Sequence, residues 1–277
     1  MASNNCKIIC IANQKGGVGK TTTAWNLGYA LAQGGKSVLM VDNDPQSNLT
    51  MGSGIGRPDE PGTTLSDALS MAMKGETPDV GGCIRKVGKP GMALDIMPAD
   101  QNLSVTEINL RDEMGGEHTL SELLEPLRGH YDFIVIDCSP NLGMLTINAL
   151  TACDTVIIPV SPQLWSATGL TDLLQSIFKA KRKLNPRIAI GGILLTMCDD
   201  RTKLYKDAKA LIDESYGGKI KIYDAQIPST VKVGEANYLS LSVIEHDPGG
   251  RAAAAYKNFA KEVLGDVGEN GKTQTTA

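Results

Sequence analysis

Short, continuously apolar runs alternate with longer amphipathic stretches along most of this chain of 277 residues. The runs are rich in Ile, Val and Leu and too short for buried helices, which is typical of parallel strands covered on both faces. The stretches between them have the apolar spacing of helices that pack on a sheet. Apolar runs occur at residues 8–12, 37–42, 131–137, 154–160 and 188–195. The alternation predicts an α/β fold: a single doubly wound, mostly parallel twisted sheet with helices on both faces.

The pattern changes near the C-terminus. A last amphipathic helix is predicted over residues 250–264, and the sequence that follows it is polar and rich in glycine. A segment of this composition buries too little apolar surface to offset the entropy of ordering it. The sequence therefore predicts one domain over residues 1–264 and a disordered polar tail over residues 265–277.

Composition narrows the protein class. Hydrophobic residues make up 42% of the chain and charged residues 21%, which is typical of a soluble globular protein. No apolar run approaches the roughly 18 residues needed to span a bilayer, and the first residues do not resemble a signal sequence. We therefore expect a cytoplasmic protein with no membrane partner. The six cysteines form no C-x-x-C pair, which favours reduced thiols over a metal site.

The stretch from Asn13 to Thr23 reads NQKGGVGKTTT and joins the first predicted strand to the first helix. Three glycines within four residues let the backbone curl tightly and present its N–H groups to a phosphate chain. Lys20 would reach the β- and γ-phosphates, and the Thr21 hydroxyl is placed to ligate Mg²⁺. A glycine-rich turn without a ligand is the alternative, which the strand–loop–helix context disfavours. The stretch predicts a phosphate-binding loop.

Carboxylates follow two of the predicted strands. Asp42 is the last residue of the strand over residues 37–42, and Asp44 lies two residues beyond it. Asp137 is the last residue of the strand over residues 131–137. Ligands of open α/β sheets bind at the carboxyl ends of the strands. An acid after an apolar strand is the Walker B form, in which the carboxylate reaches Mg²⁺, usually through water. A turn before a proline is the alternative for Asp42 and Asp44, and a strand-ending aspartate in a turn is the alternative for Asp137, which its place beside the loop disfavours.

The loop departs from the common G-x-x-x-x-G-K-[ST] pattern, because Gln14 stands at the first glycine position and Lys15 follows it. The variant K-G-G-x-G-K-[ST] resembles the deviant Walker A motif of the ParA/MinD family of ATPases. The segment after Asp42 resembles that family's D-x-D-P-Q-G-N-L, with Asn43 and Ser47 as departures. Two later segments also resemble the family, with Ser139 in place of a proline and Ser229 in place of an arginine. The resemblance covers residues 7–264.

The resemblance implies an ATPase that uses ATP and Mg²⁺ and hydrolyses ATP to ADP and phosphate. It implies that Lys15 crosses a homodimer interface to the partner's nucleotide, and that Asp44 positions or activates the attacking water. The residues that it assigns to the nucleotide are Lys15, Gly16, Gly17, Val18, Gly19, Lys20, Thr21, Thr22, Met197 and Pro228. Those assigned to the metal are Thr21, Asp42 and Asp137.

Within the family, once the branches with other features are set aside, the sequence resembles the short ParA/Soj branch, which segregates chromosomes or plasmids. The tail has no apolar face of the MinD kind, and the cysteines do not match those of the iron-protein reductases. The branch implies an ATP-dependent dimer that binds DNA without sequence preference on the bacterial nucleoid. Hydrolysis, stimulated by a centromere-bound ParB-type protein, would release it.

A basic stretch provides a candidate DNA surface. Residues 179–221 contain 11 Lys and Arg against 5 Asp and Glu, a local charge of +6 in a chain whose net charge is −4. A basic region on an acidic protein suggests nucleic acid. The candidate DNA contacts are Arg201, Lys203, Lys206 and Lys209. A solvated helix face is the alternative, and with it a nucleotide-switched scaffold that positions another cargo and has little affinity for DNA.

Overall fold

The computed structural model describes residues 6–56, 64–162 and 167–273, which form one sheet of eight strands. The strands are β1 (Lys7–Ile11), β2 (Val38–Asn43), β3 (Arg85–Lys86), β4 (Leu94–Met97), β5 (Phe133–Cys138), β6 (Thr155–Val160), β7 (Ala189–Cys198) and β8 (Ile222–Pro228). Their order across the sheet is β3-β4-β2-β5-β1-β6-β7-β8. Neighbouring strands are parallel except β3 and β4. The predicted mostly parallel sheet is confirmed.

Helices cover both faces of the sheet. They are α1 (Lys20–Gln33), α2 (Asn48–Gly52), α3 (Leu65–Met73), α4 (Leu103–Asp112), α5 (Thr119–Leu124), α6 (Met144–Ala152), α7 (Ala167–Lys183), α8 (Lys203–Tyr216), α9 (Val231–Tyr238), α10 (Val243–His246) and α11 (Arg251–Thr273). Alternate residues of β1 enter two separate cores: Ile8 packs with α3 to α8, and Ile9 packs with α1 and α11. This two-faced burial confirms the doubly wound fold.

The central strands are fully covered, and their cysteines belong to the core. All six cysteines are buried free thiols. Cys10 and Cys138 lie on neighbouring strands with their sulfur atoms 3.2 Å apart, and the hydrogen bond to Cys138 is the first cause that raises the pKa of Cys10 well above its usual value. These thiols are packing residues of the kind that the sequence predicts.

The last helix is longer than the sequence predicts. We expected it to end at residue 264, where glycines begin, and the following tail to be disordered, but α11 continues to Thr273. Val267 packs against one of the two cores, and Asp266 forms an ion pair with Lys221. These contacts offset the low helix propensity of glycine. Residues 274–277 of the predicted tail lie outside the described part of the chain.

Strand β8 is an edge strand that the sequence did not predict. It lies at the end of the sheet order, and its buried residues Tyr223, Ala225 and Ile227 pack in the core shared with α11, whereas the residues between them are more exposed. The Glu262 carboxylate of α11 accepts hydrogen bonds from the backbone N–H groups of Asp224 and Ala225, at 2.9 and 2.8 Å. A side chain thus occupies donors through which another strand could pair.

Candidate nucleotide-binding site

The predicted site residues meet at the carboxyl edge of the sheet. Strand β5 lies between β2 and β1, so Asp137 is a register partner of both Asp42 and Ile11. The loop after β1 leads directly to α1. A cavity of about 610 Å³ opens at this edge. It is lined by Gly16, Gly17, Gly19, Lys20, Thr21, Thr22, Trp25, Asp44, Gln46, Asn48, Leu49, Met51, Gly52, Pro140, Met197, Asn237 and Ser240.

The phosphate-binding loop is anchored at both ends by hydrogen bonds to neighbouring strands. Asn13 donates from its side-chain amide to the carbonyl of Pro159 at 2.7 Å, and its oxygen accepts the backbone N–H of Lys15 at 3.0 Å. The Thr196 hydroxyl donates to the carbonyl of Val18 at 2.9 Å. Gly17 and Gly19 have φ of 73° and 81°, which other residues rarely adopt. These hydrogen bonds and glycine conformations hold the loop in its curled shape.

Lys20 is a buried cation at the start of α1. Its side chain is almost fully covered, and its ammonium donates to the carbonyl of Lys15 at 3.1 Å. Burial lowers the pKa of Lys20, and the carboxylate of Asp137 opposes that effect. The Lys15 ammonium is different, since it has no hydrogen bond or ion pair with any described residue. Thus the backbone N–H and C=O of Lys15 both form hydrogen bonds, whereas its half-buried side chain forms none with the described residues.

Asp42 is held by three hydrogen bonds. Its carboxylate accepts from the Thr50 backbone at 2.8 Å, from the Thr50 hydroxyl at 2.6 Å and from the Asp44 backbone at 3.3 Å. Burial nevertheless raises its pKa to about 6. Because Thr50 also accepts the backbone N–H of Ala99 at 2.9 Å, Asp42 ties α2 to the segment after β4. Its geometry suits a residue that positions its neighbours.

Asp137 has the opposite environment. It is fully buried, and neither carboxylate oxygen has a hydrogen-bond partner of normal geometry among the described residues. Burial raises its pKa well above the usual value, the neighbouring Asp42 raises it further, and Thr21 and Lys20 lower it. A buried carboxylate without partners is costly, and a divalent cation beside the Thr21 hydroxyl would satisfy it. The donor set of oxygen atoms fits Mg²⁺.

A cluster of protein ligands large enough to hold a metal alone does not occur in the described ranges: no three His, Cys, Asp or Glu side chains converge there. Mg²⁺ characteristically keeps waters and substrate phosphates as ligands and takes only one or two from the protein. The site therefore fits a cation that arrives with a phosphate chain.

Asp44 faces the cavity that the loop lines. Its Oδ1 accepts the backbone N–H of Gln46 at 3.0 Å, and this is the one hydrogen bond of its carboxylate within the described residues. The second oxygen remains available. A carboxylate fixed by one oxygen and available at the other can accept a proton or a hydrogen bond from water.

Part of the cavity wall comes from residues that sequence reasoning missed. Trp25 lies one turn after the loop on α1, whereas Asn237 and Ser240 come from α9 and its end. Met197, which the resemblance assigns to the nucleotide, lines the cavity. Pro228 does not, since it belongs to a separate cavity with Ser229 and Arg251.

Backbone strain is concentrated around the site. Among the described residues, the non-glycine residues with positive φ are Ser47 (56°), Met197 (54°) and Ser240 (55°). Met197 and Ser240 line the cavity, and Ser47 precedes α2. The Ser240 hydroxyl donates to the carbonyl of Met51 at 3.0 Å, which joins the two sides of the cavity. Left-handed conformations of such residues cluster at functional sites.

The four candidate DNA contacts fall into two groups: Arg201 and Lys209 form ion pairs with acids, and Lys203 and Lys206 do not. The Arg201 guanidinium forms two hydrogen bonds with the Asp199 carboxylate, at 2.8 and 2.9 Å. Lys209 forms an ion pair with Asp213 at 2.7 Å. Lys203 and Lys206 are exposed on α8 and have no ion pair in the described part of the chain. The free positive charge of this surface is therefore smaller than the sequence suggests.

Fold and site together define a P-loop ATPase of the deviant Walker A class. The chain matches the family described as "AAA domain" over residues 6–190. It is 42% identical over 266 residues to the chromosome partitioning protein ParA of Caulobacter vibrioides, covering 95% of this chain and 96% of the relative. It is 41% identical over 257 residues to the sporulation initiation inhibitor protein Soj of Bacillus subtilis, covering 93% and 98%. The chain belongs to the ParA/Soj family of ATPases.

A solved structure agrees with the site. Cobyrinic acid a,c-diamide synthase from Mycobacterium smegmatis, with bound ADP and magnesium, is 30% identical and superposes with a TM-score of 0.79. The match covers 94% of each chain. Separately, none of the helices in the described ranges has the length and apolar composition required to cross a membrane.

Proposed function

We propose that this chain is a partitioning ATPase that binds ATP with Mg²⁺ in the described cavity and then joins a second copy face to face. The observation that carries the proposal is the state of Lys15. Its backbone is fixed by Asn13 and Lys20, while its ammonium has no partner among the described residues. A cation held in this way at a phosphate site is available to a nucleotide on another protomer.

The chain's own residues divide the work at the nucleotide. The N–H groups of the loop and the N-terminus of α1 would bind the phosphates, and Lys20 would leave the carbonyl of Lys15 to contact the β- and γ-phosphates. Thr21 and Asp137 would hold Mg²⁺, which neutralises charge on the phosphate oxygens. Asp42 would keep Asp44 in place through its hydrogen bonds. Asp44 would orient the attacking water.

The ATP dimer would bind DNA without sequence preference and release it after hydrolysis. Lys203 and Lys206 on α8 support this step, because both are exposed and lack ion pairs within the described ranges. Phosphate contacts by lysines carry no base information. A ParB-type centromere-binding protein would stimulate hydrolysis, and the protein would act in the cytoplasm on the nucleoid. The DNA-bound cargo would be a chromosome or a plasmid.

One observation favours a second function. Because Arg201 and Lys209 are already paired with acids, half of the predicted DNA contacts have reduced positive charge. A nucleotide-switched scaffold with weak DNA affinity would tolerate this arrangement, since its cargo would be recognised elsewhere.

A single assay separates the two functions. Binding of two unrelated DNA duplexes is measured by fluorescence anisotropy with ATP and with ADP, at two salt concentrations, together with the oligomeric state by sedimentation. A partitioning ATPase binds both duplexes equally, more tightly with ATP, and with strong salt dependence. The Lys20→Ala variant serves as the control that cannot respond to ATP. An ATP dimer without DNA affinity would support the scaffold instead, and a monomer in ATP would contradict both.

A further inference from the structure

The basic residues within 179–221 do not form one surface. Lys203 and Lys206 project from the first turns of α8. Lys181, Lys219 and Lys221 surround a groove at the other end of the sheet, where β7 and β8 begin. The nucleotide cavity lies at the carboxyl ends of the strands, so the groove is remote from it. A partner in the groove would leave the nucleotide site accessible.

The floor of this groove is apolar. Its volume is about 360 Å³, and it is formed by α7, the start of β7, the end of α8 and the turn before β8. We call it the lysine-rimmed groove. The aliphatic residues of its floor are Leu174, Ile177, Ile188, Ile190 and Ile220. None of the residues that line the groove is acidic. Phe178 is 58% exposed at the edge of the groove, which is high for a side chain of this size.

The lysines are held in place to different degrees. Lys181 donates from its ammonium to the carbonyl of Ile188 at 2.8 Å, which fixes the charge beside the floor. Lys221 pairs with Asp266 and lies 4.6 Å from the centre of the Tyr223 ring. Lys219 has no ion pair within the described ranges. The groove therefore presents at least one free ammonium and one ammonium whose partner is a neutral carbonyl.

Such a surface is poorly suited to a DNA duplex. Phosphate contacts need cations that stand out from the surface, whereas this floor is recessed and would remain wet beneath a duplex. An exposed aromatic side chain beside an aliphatic floor gains most from an apolar group that displaces the water. Cations around it would then select a ligand that also carries negative charge. The volume is near the lower end of the range of about 300–1,000 Å³ typical of ligand pockets.

We propose that the lysine-rimmed groove binds an acidic peptide segment of another protein, with a large apolar side chain on the floor and carboxylates against Lys181 and Lys219. This interaction is independent of nucleotide and DNA binding. It would give the protein a contact that remains available in both nucleotide states.

Three fluorescein-labelled synthetic peptides test the proposal by anisotropy on the full chain. The first carries a Leu-Phe pair flanked by glutamates. The second replaces the glutamates with lysines, and the third replaces the Leu-Phe pair with two serines. We expect only the first to bind, with an affinity that falls as salt rises. Equal binding of the second or third peptide would overturn the proposal.

Variants of the groove locate the binding site. Phe178→Ser and Lys219→Glu should each lower the affinity for the first peptide by about fivefold or more. This is the size expected for the loss of an interface anchor or for a charge reversal. The matched controls are Leu204→Ser, at an exposed position on α8, and Lys74→Glu, at an exposed position just after α3, and neither residue lines the groove. They should leave peptide affinity unchanged. Unchanged nucleotide affinity in all four variants verifies that they are folded.

Two results would contradict the proposal. If the groove variants bind the first peptide like the wild type, the peptide binds elsewhere. If an unlabelled duplex displaces the peptide and Lys219→Glu weakens DNA binding as strongly as Lys203→Glu, the groove is part of a nucleic-acid surface.

Discussion

Asp42 and Asp137 are register partners on the adjacent parallel strands β2 and β5, and both carboxyl groups are fully buried. The hydrogen bonds of the pair are shared unequally: Asp42 accepts three, and Asp137 accepts none of normal geometry from the described residues. Burial raises the pKa of both acids, but hydrogen bonds offset part of this effect at Asp42, whereas the compensation at Asp137 is weaker until a cation neutralises it.

The Asp137→Asn variant should be more stable than the wild type without ligands and should lose the effect of Mg²⁺. Removing a buried, unpaired charge should raise the free energy of unfolding by about 1–3 kcal/mol at pH 7.5. Urea unfolding, with and without ADP and Mg²⁺, measures both effects. Asp112→Asn, at an exposed acid on α4, is the control. A loss of stability in Asp137→Asn would mean that the native carboxylate has a stabilising partner.

Stability should fall as pH rises above about 4. Both acids have a higher pKa in the folded state than the usual 3.8 of the unfolded chain. The folded state thus retains protons that the unfolded state releases, so the free energy of unfolding decreases with pH. The decrease begins near pH 4 and continues through about 6 for Asp42. The rise in the pKa of Asp42 from 3.8 to about 6 alone corresponds to a decrease of about 3 kcal/mol in the free energy of unfolding across this pH range.

Urea unfolding at pH 5 and pH 7.5, without nucleotide, tests this slope. In the Asp137→Asn variant the free energy of unfolding should decrease less between these pH values, because asparagine does not titrate and only Asp42 still retains a proton in the folded state. A wild-type protein that becomes more stable between these two pH values would contradict the raised pKa values.

The two loop lysines should have separable roles. Lys20→Ala removes the ammonium that neutralises the phosphates, so ATP affinity should fall by at least about 30-fold. Lys15→Ala keeps the backbone carbonyl that holds Lys20, so monomer affinity should stay within a few-fold while the ATP dimer is lost. Isothermal titration and sedimentation with ATP and Mg²⁺ measure the two effects. A normal ATP dimer in Lys15→Ala would remove that lysine from the interface.

Loss of Asp44 should slow hydrolysis and spare binding. Asp44→Ala leaves the phosphate loop in place. It also keeps the three hydrogen bonds to Asp42, because the one that comes from residue 44 is donated by its backbone N–H and the other two come from Thr50. Turnover should fall by about 10²-fold or more, which is the usual contribution of a positioned acid or base. Phosphate release and ATP affinity are measured side by side. Failure to bind ATP would show that Asp44 is structural, and normal turnover would show that water is held elsewhere.

The free lysines on α8 should dominate DNA binding. Lys206→Ala removes one phosphate contact from each protomer, so the slope of log K against log salt should flatten by about 2 for a dimer. Arg201→Ala should change the slope less, because Asp199 already neutralises the guanidinium. Both variants should keep ATP dimerisation. Equal effects of the two substitutions would mean that the Arg201–Asp199 pair opens on DNA, and no effect of either would favour the scaffold function.

The sequence predicted the parts of the site whose chemistry is local. The loop from Asn13 to Thr23 and the acids at Asp42, Asp44 and Asp137 each follow an apolar run directly, so strand and site residue are recognised together. The structure brings them to one edge, as expected. Their individual roles in binding and hydrolysis stay predictions.

Other parts could not be predicted because their contacts join distant segments. Asn237 and Ser240 line the cavity from more than 200 residues beyond the loop, and no local pattern marks them. Strand β8 did carry a signal, since Tyr223, Ala225 and Ile227 alternate with less buried residues. Ser47 departs from a family glycine at a residue with φ of 56°. This backbone conformation favours glycine, a requirement that the sequence pattern alone does not show.

The position of β1 in the middle of the sheet affects how the protein is made. Its partners are β5 and β6, and Lys7 pairs with Phe133, which lies 126 residues later (133 − 7). At about 5–20 residues per second, the ribosome needs roughly 6–25 seconds to cover that distance. Strands β2, β3 and β4 can pair with one another in the meantime, whereas β1 remains an unpaired apolar strand. The phosphate loop is thus translated long before the strands on either side of β1 exist, and we expect a nascent chain that ends before residue 133 to expose β1 as an unpaired apolar strand.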